Sequence, residues 1–120
     1  MAEVKTISTE KLRQRLEQPK SLHLWNVLTD GYFKGEMIPG SHRVPLDTIG
    51  REVSKTKSPK DEEIIVYCGG PKCPQSLQAA QKLMDLGYTN VKAYEGGLEE
   101  WKNAGNKIER LEQASAAKPA

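Results

Sequence analysis

Apolar residues along this chain gather in short runs separated by amphipathic or polar stretches. Residues 22–28, Leu-His-Leu-Trp-Asn-Val-Leu, have the apolar density of a buried strand and end at the turn-forming Thr29-Asp30-Gly31. Ile64-Ile65-Val66-Tyr67 is a run of β-favouring apolar residues with no polar alternation, which predicts a strand covered on both faces, as in a parallel sheet. Residues 90–94 predict another short strand, and His42-Arg43-Val44 a short extended piece.

The intervening stretches carry helical spacing. Ser8 and Thr9 offer a hydroxyl cap, Glu10 an acidic first turn, Leu12 and Leu16 an i,i+4 apolar pair, and Pro19 a stop. In residues 76–86, Leu77, Ala80 and Met84 fall at i, i+3, i+7 with Leu83 beside them, and Gly87 is placed to end the helix. Residues 98–104 predict a last helix closed by Gly105, with Trp101 as its core anchor. Residues 32–36 and 45–49 read as single helical turns, residues 38–41 as a tight connection, and the Lys-rich residues 51–61, broken by Pro59, as an exposed loop. Strands that alternate with helices predict an α/β domain, a mostly parallel sheet with helices on its faces. The domain is expected over residues 1–110. Residues 111–120 are too poor in apolar side chains to order and are expected to form a disordered tail.

Composition narrows the chemistry. With 120 residues, 28% charged, a net charge of +2 and no basic blocks, the chain offers no support for a nucleic-acid or anionic-membrane partner. The amino terminus lacks the apolar core of a signal peptide and no stretch is long enough to span a bilayer, so a cytoplasmic location is expected. The two cysteines, Cys68 and Cys73, sit on one loop, too close to staple a fold. His23 reads as structural, because a catalytic base needs a positioned partner. One Cys pair with the distant His23 or His42 is weak evidence for zinc, and no metal or organic cofactor is expected.

The informative stretch is Cys68-Gly69-Gly70-Pro71-Lys72-Cys73-Pro74-Gln75-Ser76. Cys68 ends a strand and the following residues lead into a helix, so the thiol stands at the carboxyl edge where ligands bind in open α/β sheets. Loop amides and a helix N-terminus make an anion cradle there, and with Lys72 nearby the thiol is expected to ionise readily and act as nucleophile. A buried structural cysteine is the alternative.

Three separated pieces resemble the single-domain rhodanese family of sulfurtransferases: residues 33–46 around Ile38-Pro39-Gly40-Ser41, the Ile-Ile-Val-Tyr-Cys loop, and Glu95-Gly96-Gly97-Leu98-Glu99-Glu100-Trp101. The resemblance covers roughly residues 6–108. It implies a central five-stranded parallel sheet with helices on both faces, and Cys68 as the residue that takes a sulfane sulfur as a persulfide and hands it to a thiophilic acceptor. The loop amides of residues 69–75 would hold the persulfide, with Lys72 and the Ser76 hydroxyl assisting. Donors would be thiosulfate or a persulfide, acceptors a thiol or cyanide, with a sulfur-relay protein as a further partner. The sequence departs from the family at several points. Cys73 and Pro74 stand where an arginine and a Ser or Thr usually do, the loop looks two residues longer, Asn26-Val27-Leu28 replaces Asp-Val-Arg, and Glu36 replaces a histidine. These departures keep three alternatives open: a redox protein in which Cys73 resolves Cys68, a binding module without turnover, and a phosphate-ester or arsenate enzyme. Of the roles for Cys73, that of a plain loop residue is the one the sequence favours.

Overall fold

The computed structural model describes residues 4–17, 22–29, 31–33, 35–56, 60–70 and 73–110. In chain order the elements are β1 (Lys5–Thr6), α1 (Thr9–Leu16), β2 (His23–Asn26), β3 (Glu36–Met37), β4 (His42–Arg43), a 3-10 turn (Leu46–Thr48), α2 (Ile49–Thr56), β5 (Ile64–Tyr67), α3 (Gln75–Asp85), β6 (Val91–Tyr94), α4 (Gly97–Asn103) and β7 (Glu109–Arg110). Five strands form one parallel sheet in the order β1-β6-β5-β2-β4. β3 and β7 pair as a separate antiparallel ribbon.

The apolar run of β5 has the environment its composition demands. All four residues are buried, and their alternation divides them between two cores. Ile64 and Val66 pack with Trp25, Val27, Ile49, Val53, Ala79, Ala80 and Leu83 on the face covered by α2 and α3. Ile65 and Tyr67 pack with Leu12, Leu24, Tyr94, Leu98 and Trp101 on the face covered by α1 and α4. The expected parallel α/β architecture, with helices on both faces, is therefore what forms.

The helices begin and end as their sequences dictate. Ser8 caps α1, its hydroxyl accepting the Lys11 amide at 3.2 Å. α3 closes at Gly87, whose φ of +102° sits in the left-handed region that glycine tolerates, while the Gly87 and Tyr88 amides reach back to the Met84 and Leu83 carbonyls. Trp101 is buried as expected, edge-on to Tyr94, with its indole N–H donating to the Lys107 carbonyl at 2.7 Å.

Two readings need correction. Residues 51–56, read as the start of an exposed loop, instead continue the helix that begins at Ile49, because Ile49 and Val53, four apart, bury one face against the core. The helical turn expected over residues 32–36 is not what the described residues there form: the Tyr32 and Phe33 amides close a turn on the Thr29 carbonyl, and Glu36 already belongs to β3. The expected tail, 111–120, lies outside the described residues. No described helix is long and apolar enough to cross a membrane.

Candidate active site

β5 delivers Cys68 at its carboxyl end, and the chain passes through Gly69 and Gly70 before Cys73 leads into α3. α4 is clamped on this loop by backbone. The Leu98 amide donates to the Cys68 carbonyl at 3.0 Å and the Glu99 amide to the Gly69 carbonyl at 2.8 Å. The approach is possible only at a glycine: Gly97 has φ +61°, and a Cβ there would lie 2.5 Å from the Cys68 carbonyl oxygen and 2.7 Å from the Gly70 nitrogen. On the other side, Gln75 at the start of α3 grips the loop after β2, accepting the Thr29 amide at 3.1 Å and donating to its hydroxyl at 3.2 Å.

Cys68 is fully buried, and its thiol donates to the Cys73 carbonyl at 3.3 Å. Burial pushes this thiol up to about 11, and the hydrogen bond with the Cys73 side chain adds to the rise, while the backbone and hydroxyl of Ser76 pull the other way. The expectation that Cys68 ionises readily is thus overturned. Desolvation outweighs the dipoles, and the carbonyl of Cys73 faces the sulfur. Pro71 and Lys72 lie outside the described residues.

Ser76, in the first turn of α3, is buried, and its hydroxyl lies close enough to the Cys68 thiol to lower its value but makes no hydrogen bond of normal geometry. Such a group costs about 1–3 kcal/mol when left unsatisfied, so a buried hydroxyl kept beside a sulfur atom is a donor awaiting an acceptor. The cradle of amides is narrower than the sequence implies. Pro71 and Pro74 have no N–H, and the Cys73 amide is spent on the Gly70 carbonyl at 3.0 Å. Gly69, Gly70, Gln75 and Ser76 are the described amides that remain.

Over this loop lies an open cleft of about 810 Å³. Gly69, Gly70, Cys73, Pro74 and Gln75 line it from the loop, Leu98, Glu99, Lys102 and Asn103 from α4, and Leu28, Tyr32, Glu36 and Gln78 complete it. Cys68 is not among its lining residues; Cys73, half-buried, is. Glu36 pairs with Lys102 at 3.0 Å and with Arg110 at 3.3 Å, which joins the β3–β7 ribbon to the cleft wall. Sequence reasoning marked Glu36 only as a departure and passed over Lys102, because their pairing is separated by 66 positions in the chain. It also missed Arg43, which lies 4.0 Å over the Phe33 ring and donates to the Leu28 carbonyl at 2.5 Å and to Asn26 Oδ1 at 3.2 Å. A cation absent from the end of β2 is thereby supplied from the neighbouring strand.

The histidines stand elsewhere. His23 pairs in register with Ile64 at the amino end of β5, where its ring bonds to Glu62, and His42 is exposed on β4. Among the described residues, no group of three or more His, Cys, Asp or Glu could hold a metal ion.

The family described as Rhodanese-like domain matches residues 8–104 of the chain. The chain belongs to that family. A protein named Sulfurtransferase from Allochromatium vinosum is 31% identical over 102 residues, covering 85% of this chain and 92% of the relative. The human thiosulfate:glutathione sulfurtransferase is 27% identical, covering 84% of this chain and 96% of its own. Among solved structures, a rhodanese-like domain from Anabaena sp superposes with a TM-score of 0.77 at 25% identity, covering 96% of this chain and 84% of that one. A Bacillus halodurans protein superposes with a TM-score of 0.78 at 27% identity, covering 88% and 77%. These relatives support a sulfurtransferase kind of enzyme, and the rhodanese-like assignment makes Cys68 and its loop the place to look for the chemistry.

Proposed function

We propose that this rhodanese-like protein moves a sulfane sulfur through a persulfide on Cys68, from thiosulfate or a persulfide donor to a thiol or cyanide. The observation that carries the reading is the pairing of a strand-end thiol with the unpartnered Ser76 hydroxyl. Cys68 sulfur attacks the outer sulfur of thiosulfate, the S–S bond to the sulfonate breaks, and sulfite leaves with its electron pair. The terminal sulfur of the persulfide is anionic at neutral pH, unlike the resting thiol, and the Ser76 hydroxyl with the amides of Gly69, Gly70, Gln75 and Ser76 would then face an anion in place of a neutral thiol. The acceptor takes the outer sulfur and restores the thiol.

The name of the human relative pairs thiosulfate with a low-molecular-weight thiol, and a cleft edged by amides, by Lys102 and by the apolar Leu28 and Leu98 suits a small peptide-like thiol. A protein persulfide is an equivalent donor in this scheme. The chemistry needs neither metal nor organic cofactor, and neither nucleic acid nor membrane enters it. Cys68→Ser should bring thiosulfate-to-cyanide transfer down to the uncatalysed background and abolish the mass gain of one sulfur after thiosulfate, with an unchanged melting curve. Transfer at wild-type rate by that variant would dismiss Cys68 as the nucleophile.

A further inference from the structure

Cys73 does more than line the loop. The turn closed by its amide on the Gly70 carbonyl folds it back over Cys68, so that the Cys68 thiol donates to the Cys73 carbonyl at 3.3 Å and the Cys73 side chain stands near enough to raise the Cys68 value. Both are free thiols, one fully buried and the other open to the cleft. The contact is made with Cys68's own Sγ, which is the inner atom of a persulfide.

We propose that Cys73 resolves the Cys68 persulfide by attacking that inner sulfur, closing a Cys68–Cys73 disulfide and releasing hydrogen sulfide. The inference rests on the persulfide reading above and adds an activity to it: reduction of sulfane sulfur to sulfide with external thiols as the electron source. The step balances, since one Cys68 persulfide and one Cys73 thiol give one Cys68–Cys73 disulfide and one molecule of hydrogen sulfide. The Cys73 sulfur forms the new bond, the bond to the outer sulfur breaks with its electrons, and the Cys73 proton leaves on the sulfide. Two low-molecular-weight monothiols, or one dithiol, then reduce the disulfide and depart as their own disulfide.

Leaving groups favour this course over a relay of sulfur to Cys73. Attack on the outer sulfur would expel the Cys68 thiolate, and burial makes that anion costly. Attack on the inner sulfur expels hydrosulfide instead. The resulting choice of fate depends on the acceptor: a cleft filled by a thiophile takes the outer sulfur directly, and an empty one lets Cys73 close.

The test uses the full reduced chain, treated with thiosulfate and desalted to remove sulfite, with no thiol added. Wild type is expected to release one sulfide per chain and to yield a linked Cys68–Cys73 peptide, two hydrogens lighter than the dithiol. Cys73→Ser is expected to keep the extra sulfur on Cys68 and to release sulfide only when glutathione is supplied. Sulfur uptake by the variant also reports that its loop is intact. A wild type that holds a stable Cys68 persulfide beside an unmodified Cys73 overturns this inference and leaves the transferase reading standing. If neither protein takes up sulfur, the persulfide reading falls and this inference with it.

Discussion

The two ends of β5 handle polar groups in opposite ways. At the amino end the carboxylates are matched: Glu63 bonds to Arg15 and, at 3.3 Å, to Lys92, and Glu62 bonds to His23. Burial works against the Glu63 carboxylate, yet the hydrogen bonds from Arg15 and Lys92 outweigh it and hold the group below the usual carboxylate range. At the carboxyl end, barely one strand length away, a thiol is pushed up by burial and a hydroxyl is left unpaired. The same strand thus carries a finished, stabilising end and an unfinished one. Unsatisfied polarity in a folded core is retained where a ligand or intermediate completes it, and that separates the site from ordinary surface chemistry.

The largest expected effect is in the pH dependence of persulfide formation. Below its raised value of about 11 the Cys68 thiol is mostly neutral, so the rate with thiosulfate should climb about tenfold per pH unit through the neutral and mildly alkaline range. A plateau near neutrality would mean that the thiolate forms far more easily than burial permits and would remove the contrast between the ends. The sign for stability is opposite. An unfolded chain ionises cysteine at about 8.5, so the folded state's raised thiol contributes stability fully below that pH, and the contribution is lost as pH rises through about 11.

Trp101→Ala should be next. The indole fixes α4, the helix whose backbone clamps the Cys68 loop, and truncating a buried Trp costs about 3–5 kcal/mol. Both the denaturation midpoint and sulfur transfer should fall; a lost midpoint with unaltered transfer would show that the loop holds its shape without α4.

Ser76→Ala separates site from scaffold most cleanly. Removing a hydroxyl that has no partner should leave the melting temperature unchanged or slightly higher. Persulfide formation should slow by about tenfold or more, as for other lost donors to a developing anion. A drop in stability with unchanged rate would make Ser76 part of the scaffold. At the opposite end, Glu63→Gln should do the reverse, costing about 1–2 kcal/mol through its charge-assisted hydrogen bonds while leaving transfer at the wild-type rate. In wild type this contribution is present above the normal carboxylate range and fades as pH falls through the depressed Glu63 value, so acid melts should converge with the variant's.

How far residues could be read alone depended on whether their role was local. The uninterrupted apolar run of β5, the Gly87 stop, the Leu and Ala stripe of α3 and the buried Trp101 are all local patterns, and each took its expected place. β1, β3 and β7 are only two residues long and exist because a partner strand lies alongside, in the case of Glu36 and Arg110 from distant parts of the chain. α2 hid behind the same limit: two apolar residues in a polar stretch become a helix face only when a core is there to receive them.

For the site, the sequence by itself determined the fold, the family and the placing of Cys68 at the end of a buried strand before a glycine loop. Periodicity, turn residues and strand-helix order are properties of consecutive residues and suffice for the α/β class, while the five-strand count came with the family resemblance. Tertiary structure alone decided the state of the thiol, the turning of Cys73 onto Cys68, the orphaned Ser76 hydroxyl and the Glu36–Lys102 wall. Ionisation follows from how much water is excluded and which dipoles face the atom, and both are sums over groups that meet only when distant segments pack together.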